Sequence, residues 1–116
     1  MSVIWRVSIK GTGINGFIEK HRLSPASIRD DSFNVLISDS ENISDLKKDT
    51  LSFIKEHKAA IMAIPELGGI SEIDFALYVG ADDQYTQSIT FTKYELTTLA
   101  ETAVDLRISA YPCSDE

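Results

Sequence analysis

The segment GTGING, residues 11–16, has the G-x-G-x-x-G spacing with which dinucleotide-binding proteins approach a pyrophosphate. There the glycines permit a tight turn, and the helix that follows points its N-terminus at the phosphates. The flanking residues do not suit that use. The preceding strand alternates polar with apolar residues, and Pro25 ends the following helix early. We predict a strand-to-helix loop in which Gly11, Gly13 and Gly16 provide backbone freedom, with no cofactor.

Other residue types that could perform catalysis or bind a metal are few and scattered. His21, His57 and the single Cys113 lie far apart and give no metal-ligand spacing. The adjacent carboxylates Asp30–Asp31 and Asp82–Asp83 fall in polar loops, where solvated side chains are typical. We expect His57 to be partly buried on a helix and His21 to be structural at the end of a short one. The sequence predicts no catalytic residue, no metal site and no enzyme.

Length and composition indicate one soluble domain. The chain has 116 residues, of which 43% are hydrophobic, and we predict a single domain over residues 1–116 with an acidic tail at about 113–116. Its longest purely apolar run, AAIMAI at residues 59–64, is too short to span a membrane. The N-terminal segment MSVIWRVSIKG contains charged residues that a secretory signal would lack, which favours a cytoplasmic location.

The net charge of −7 is unevenly distributed. Residues 1–58 contain nine Lys and Arg against eight Asp and Glu, whereas residues 59–116 contain two against ten. An anionic second half repels nucleic acid and anionic lipid and attracts a cationic partner. We therefore expect no nucleic-acid ligand and no membrane partner.

The pattern of apolar residues predicts alternating strands and helices. Thr92 and Glu95 form a capping-box signature that starts a helix at residue 93, with Leu96, Leu99, Ala100 and Ala103 on its buried side. The other predicted elements are a strand at 3–10, a helix at 15–23, a strand at 32–38, a helix of about 20 residues stopped by Pro65, and strands at 71–80, 88–91 and 104–112. These elements predict an α+β fold, a two-layer domain with a mainly antiparallel sheet and helices on one face.

One surface combines carboxylates with tyrosines. Asp74 and Tyr78 share the polar face of the strand at 71–80, and a polar acidic loop follows that strand. Tyrosines are favoured at the centres of protein interfaces, and carboxylates around them steer a basic partner. The predicted partner-binding residues are Glu72, Asp74, Tyr78, Asp82, Asp83 and Tyr85.

The chain resembles small bacterial cytosolic domains in the turn RLSPAS and in the closing helix and strand YELTTLAETAVDLRISAYP. In size, acidity and lack of catalytic groups it also resembles the immunity proteins of bacterial toxin systems, including contact-dependent inhibition. That resemblance implies an inhibitor that binds a cognate toxin protein, often a nuclease with a basic active site. We predict such a function, with a small-ligand sensor or accessory domain acting as a homodimer as the alternative, and we leave the oligomeric state open.

Overall fold

The computed structural model of the chain describes residues 1–11, 13–79 and 88–112. These parts form one domain with a five-stranded mixed sheet and four helices, which confirms the predicted α+β class. No helix among the described residues is both long and apolar enough to cross a membrane. The elements are β1 (Ser2–Ser8), α1 (Ile14–Lys20), β2 (Ser27–Ile28), β3 (Ser32–Asp39), α2 (Ile43–Glu56), α3 (Lys58–Glu66), β4 (Ile70–Val79), α4 (Lys93–Glu101) and β5 (Asp105–Pro112).

The strands lie in the order β2-β3-β1-β4-β5. Strand β1 is central and runs antiparallel to both β3 and β4, and β2 is antiparallel to β3. Strand β5 is parallel to β4, because the chain between them crosses back through α4. The sheet is therefore mainly antiparallel, as predicted, with one parallel pair at its edge.

The core lies between the sheet and the helices. Val3, Trp5 and Val7 point from β1 into it, and each is at most 2% exposed. The ring of Trp5 lies edge-on between Phe33 and Phe53, with centroid distances of 5.7 and 5.6 Å. Helices α2 and α3 contact β1, β3 and β4, and they close this core with buried leucine and isoleucine side chains.

The predicted single helix before Pro65 is two helices. Helix α2 ends at Glu56, and α3 begins at Lys58. His57 lies between them, and its φ of −109° departs from helical geometry. The apolar stripe continues through the break, so the 3.6-residue period could not reveal it. Pro65 lies within the last turn of α3, and Gly68, at a φ of +73°, follows it. The first helix is also shorter than predicted and ends at Lys20.

The helix predicted to start at residue 93 is confirmed. The Thr92 hydroxyl accepts from the Glu95 amide at 3.2 Å, and the Glu95 carboxylate accepts from the Thr92 amide at 2.8 Å. That backbone hydrogen bond is the main reason that the pKa of Glu95 is lowered. Of the four residues predicted on the buried side of α4, only Leu99 is buried. Thr102, directly after the helix, is also buried, whereas Leu96 is 49% exposed. Ala100 and Ala103, which were also predicted on the buried side, are exposed.

Two strand assignments differ from expectation. Residues 88–91 form no strand, and Phe91 instead packs against Phe75 at a centroid distance of 5.7 Å. Strand β2 was not predicted, because two residues are too few to show alternation.

The glycine loop has the backbone role predicted for it at two positions. Gly11 and Gly13 have φ values of +105° and +96°, which other residues rarely adopt, whereas Gly16 lies inside α1. A dinucleotide fingerprint also requires the strands on either side of the helix to be parallel. Here β1 and β3 are antiparallel neighbours, so the loop does not belong to such a unit.

Candidate functional site

The face of the sheet opposite the four described helices presents the polar residues of β1, β4 and β5. Residues that alternate with the core positions lie on this face, which we call the open face. The parallel register places Asp74 beside Arg107, Ala76 beside Ser109 and Tyr78 beside Tyr111. The last strand therefore contributes as much to this surface as β4 does.

Asp74 is a buried carboxylate at the centre of this face. Its residue is 5% exposed, its Oδ1 accepts from the Ser109 hydroxyl at 3.0 Å, and its Oδ2 lies 3.5 Å from an Arg6 guanidinium nitrogen. These contacts join β1, β4 and β5. Burial of a carboxylate requires such pairing, and the Asp74 side chain is buried in these contacts, with little of it exposed to a partner.

Glu72 is paired with a second arginine. Its Oε2 lies 3.6 Å from the Nε of Arg107, and its side chain is 27% exposed. The open face thus carries two carboxylates of β4, each beside an arginine from a neighbouring strand. These two pairs offset part of the negative charge that the sequence led us to expect, whereas the exposed Asp105, which the register places beside Glu72, adds a third carboxylate to this face.

Two tyrosines contact each other at the C-terminal ends of β4 and β5. Tyr78 is 48% exposed and Tyr111 is 46% exposed, and their rings meet edge-on with a centroid distance of 6.4 Å. Each supplies a large apolar ring with a hydrogen-bonding hydroxyl, which suits the centre of an interface.

Strand β5 also exposes apolar residues on its other side. Leu106 and Ile108 pair with the buried Ile73 and Phe75, yet they are 38% and 48% exposed, because β5 is the last strand of the sheet. Among the described residues no strand lies beside its outer edge. An edge strand of eight residues with apolar side chains offers a template for pairing with another chain. We call the residues Tyr78, Leu106, Ile108 and Tyr111 the edge patch.

The predicted partner-binding residues fall into two groups. Glu72, Asp74 and Tyr78 share the open face, as expected, but only Tyr78 is well exposed. Asp82, Asp83 and Tyr85 lie outside the described residues. Four exposed residues of β5 were not predicted as part of this surface, although the alternation in residues 104–112 indicates a strand: Leu106, Arg107, Ile108 and Tyr111.

The other described carboxylates of the second half do not gather at the edge patch. Glu66 ends α3, Glu95 and Glu101 lie on α4, and Asp105 begins β5. Glu95 and Glu101 also pair with lysines of the first half, Lys47 at 3.2 Å and Lys58 at 3.8 Å. The acidic excess of the described part is therefore spread over the molecule.

Each histidine ring packs against a phenylalanine. His57 lies at the junction of α2 and α3 with its ring 4.5 Å from that of Phe53, and His21 ends α1 with its ring 4.4 Å from that of Phe17. Burial lowers the pKa of His21, and the nearby charges of Lys20 and His57 lower it further. Asp30 and Asp31 are exposed between β2 and β3, as predicted. Among the described residues no three His, Cys, Asp or Glu side chains converge as metal ligands.

Comparison of the chain with protein-family models, with curated proteins and with solved structures gives no significant match.

Proposed function

We propose that this chain is an immunity-type binding protein that neutralises a cognate toxin domain, and that the edge patch forms the centre of the contact. The observation that carries the proposal is the exposed β5 edge, where two tyrosines on one side and two aliphatic residues on the other stand at 38–48% exposure. An extended segment of a partner would add to β5 by backbone hydrogen bonds, and the side chains of the patch would supply specificity.

The charge of the chain favours a basic partner. The net charge is −7, and an acidic segment of the sequence with Asp82 and Asp83 follows directly after β4. Because Glu72 and Asp74 are already paired with arginines, the attraction would come from the molecule as a whole and from the charges of that segment. Such attraction raises the association rate and weakens with added salt.

The test is neutralisation of a toxin encoded beside this chain. Co-expression should restore growth, and the purified pair should form a one-to-one complex whose affinity falls with salt. Tyr111→Ala and Ile108→Arg should each weaken the complex by about thirtyfold, as expected for residues at the centre of an interface. Tyr94→Ala is the matched control, because Tyr94 lies on α4 and is 74% exposed.

Two results would contradict this proposal. One is the absence of any neighbouring product that inhibits growth and binds the chain. The other is a complex that tolerates Ile108→Arg and Tyr111→Ala as well as it tolerates Tyr94→Ala, since the contact would then lie elsewhere on the surface.

The outer edge of β5, beside which no strand of the described residues lies, also favours the alternative, a homodimeric sensor or accessory domain. In an antiparallel pair of β5 strands, directly opposed residues share a face. A two-fold axis at Ile108 would place Ile108 opposite its own copy and Leu106 opposite Ala110, so apolar residues would meet on one face of a continuous sheet. Light scattering of the isolated chain separates the two functions: the alternative requires a dimer that Ile108→Arg converts to a monomer.

A further inference from the structure

A polar hollow of about 440 Å³ lies on the open face, on the side of the sheet toward β2. Its floor is built from rows of residues that run across the strands. The antiparallel registers align Ser27 with Asn34, Asn34 with Arg6, and Arg6 with Glu72. Directly opposed residues of antiparallel strands share a face, so all four belong to the open face.

A second row lies next to the first. Ser32 is opposite Ser8, and Ser8 is opposite Ile70. The amide of Arg29 donates to the carbonyl of Ser32 at 2.7 Å, which extends the β2–β3 pairing by one residue and places Arg29 in this row. All four residues line the hollow. Ile70, at 67% exposure, gives it one apolar wall.

The two arginines stand on opposite sides of the β3 residues. Neighbouring strands are about 4.8 Å apart, so β1 and β2, with β3 between them, are separated by about 10 Å. Arginine side chains are long enough for both guanidinium groups to contact a single bound group that lies above Asn34 and Ser32. The hydroxyls of the floor and the Asn34 amide add hydrogen-bond donors between them.

The charges of the lining favour an anion. The Arg6 side chain is 49% exposed, and its contact with Asp74 uses one of its nitrogens. Arg29 is exposed, and no ion pair joins it to another described residue. Glu72 is the one carboxylate among the described residues that line the hollow, and its Oε2 lies 3.6 Å from the Nε of Arg107. In a chain with a net charge of −7, this hollow is rich in cationic donors.

We propose that the hollow is a binding site for a small organic oxyanion, a carboxylate or a phosphate group. Arg29 and Arg6 would grip it from two sides, since a guanidinium presents paired donors that match either group. The serine hydroxyls and the Asn34 amide would complete the hydrogen bonds, and Ile70 would contact the apolar part of the ligand. The site is distinct from the edge patch and does not depend on toxin binding.

The experiment titrates the complete chain separately with inorganic phosphate and with succinate and follows the backbone amide chemical shifts. Sodium chloride at equal ionic strength is the blank. Saturable shifts at Ser8, Arg29 and Ser32 are expected with at least one of the two anions, and the anion that saturates identifies which oxyanion the site prefers. Arg29→Gln should weaken binding about tenfold.

Two further variants sharpen the test. Arg22→Gln removes the same charge from an exposed position outside the hollow and should leave affinity within about twofold. Glu72→Gln removes the competing carboxylate and should tighten binding. Equal losses of affinity in Arg29→Gln and Arg22→Gln would show that the anion responds only to the general charge of the protein, and would overturn the proposal. The proposal would also be overturned if neither phosphate nor succinate gave saturable chemical-shift changes larger than those in the sodium chloride blank. Toxin neutralisation would be unaffected by either result.

Discussion

The guanidinium of Arg6 reaches diagonally across the sheet to Asp74, 3.5 Å away, although its direct neighbour in the register is Glu72. The two partners differ in exposure, at 49% for the Arg6 side chain and 6% for that of Asp74. The decrease in the free energy of unfolding should therefore depend on which of the two charges is removed.

Arg6→Gln is expected to destabilise the fold more than Asp74→Asn does. Loss of Arg6 leaves a buried carboxylate whose remaining side-chain partner among the described residues is the Ser109 hydroxyl, whereas loss of the Asp74 charge leaves an arginine that water can solvate. We expect a decrease in the free energy of unfolding of about 2–3 kcal/mol for Arg6→Gln and about 1 kcal/mol for Asp74→Asn. Urea unfolding followed by the fluorescence of Trp5, the single and fully buried tryptophan, measures both. The reverse order would contradict this account of the pair.

Gly69 and Gly16 should respond to alanine in opposite directions. A Cβ at Gly69 would lie 2.8 Å from the carbonyl oxygen of Ser8 and 2.9 Å from Ile64 Cγ2, and the strand carbonyl cannot move aside. Gly69→Ala should therefore cost about 1–3 kcal/mol. Gly16 lies in α1 with nothing within 4 Å of its Cβ position, so Gly16→Ala should stabilise the protein by about 0.5–1 kcal/mol. Thermal unfolding of the two variants checks the sign of each effect.

Thr92→Ala tests the capping box. The variant loses the hydroxyl that accepts from the Glu95 amide, and a lost N-cap costs about 1 kcal/mol. Thr97→Ala is the control on the same helix, because the exposed Thr97 hydroxyl donates only to the carbonyl of Lys93 one turn earlier. Equal urea midpoints for the two variants would show that the capping box does not stabilise α4.

Local signals in the sequence were sufficient for much of the fold. The Thr92–Glu95 spacing identified the start of α4, and the alternation around Trp5 identified β1, because both depend only on residues close in the chain. The break at His57 escaped prediction, since one non-helical residue does not disturb an apolar stripe.

The charge pairs of the open face and the contact between its two tyrosines join residues that are far apart in the chain, so the sequence could not reveal them. The carboxylates of Glu72 and Asp74 looked like an anionic patch because charges were counted along the chain. The register places Arg107 and Arg6 beside them from strands far away in sequence. The parallel alignment that brings Tyr111 to Tyr78 likewise follows from the crossover through α4, and strand alternation carries no information about direction.

The stability of the protein should fall as the pH drops below about 6.5, and His21 should account for part of that fall. Burial, Lys20 and His57 all hold the pKa of His21 below its ordinary value of 6.5. The unfolded chain therefore binds a proton at a pH where the folded chain does not, so the free energy of unfolding decreases from pH 6.5 down to the folded pKa and then levels off.

His21→Gln should remove the contribution of His21 to this decrease in the free energy of unfolding. Lys20→Gln should make the decrease smaller, because it removes one of the positive neighbours that lower the His21 pKa. Urea unfolding at a series of pH values from about 8 to 5 measures the three curves. Parallel curves for the parent chain and His21→Gln would exclude a lowered His21 pKa.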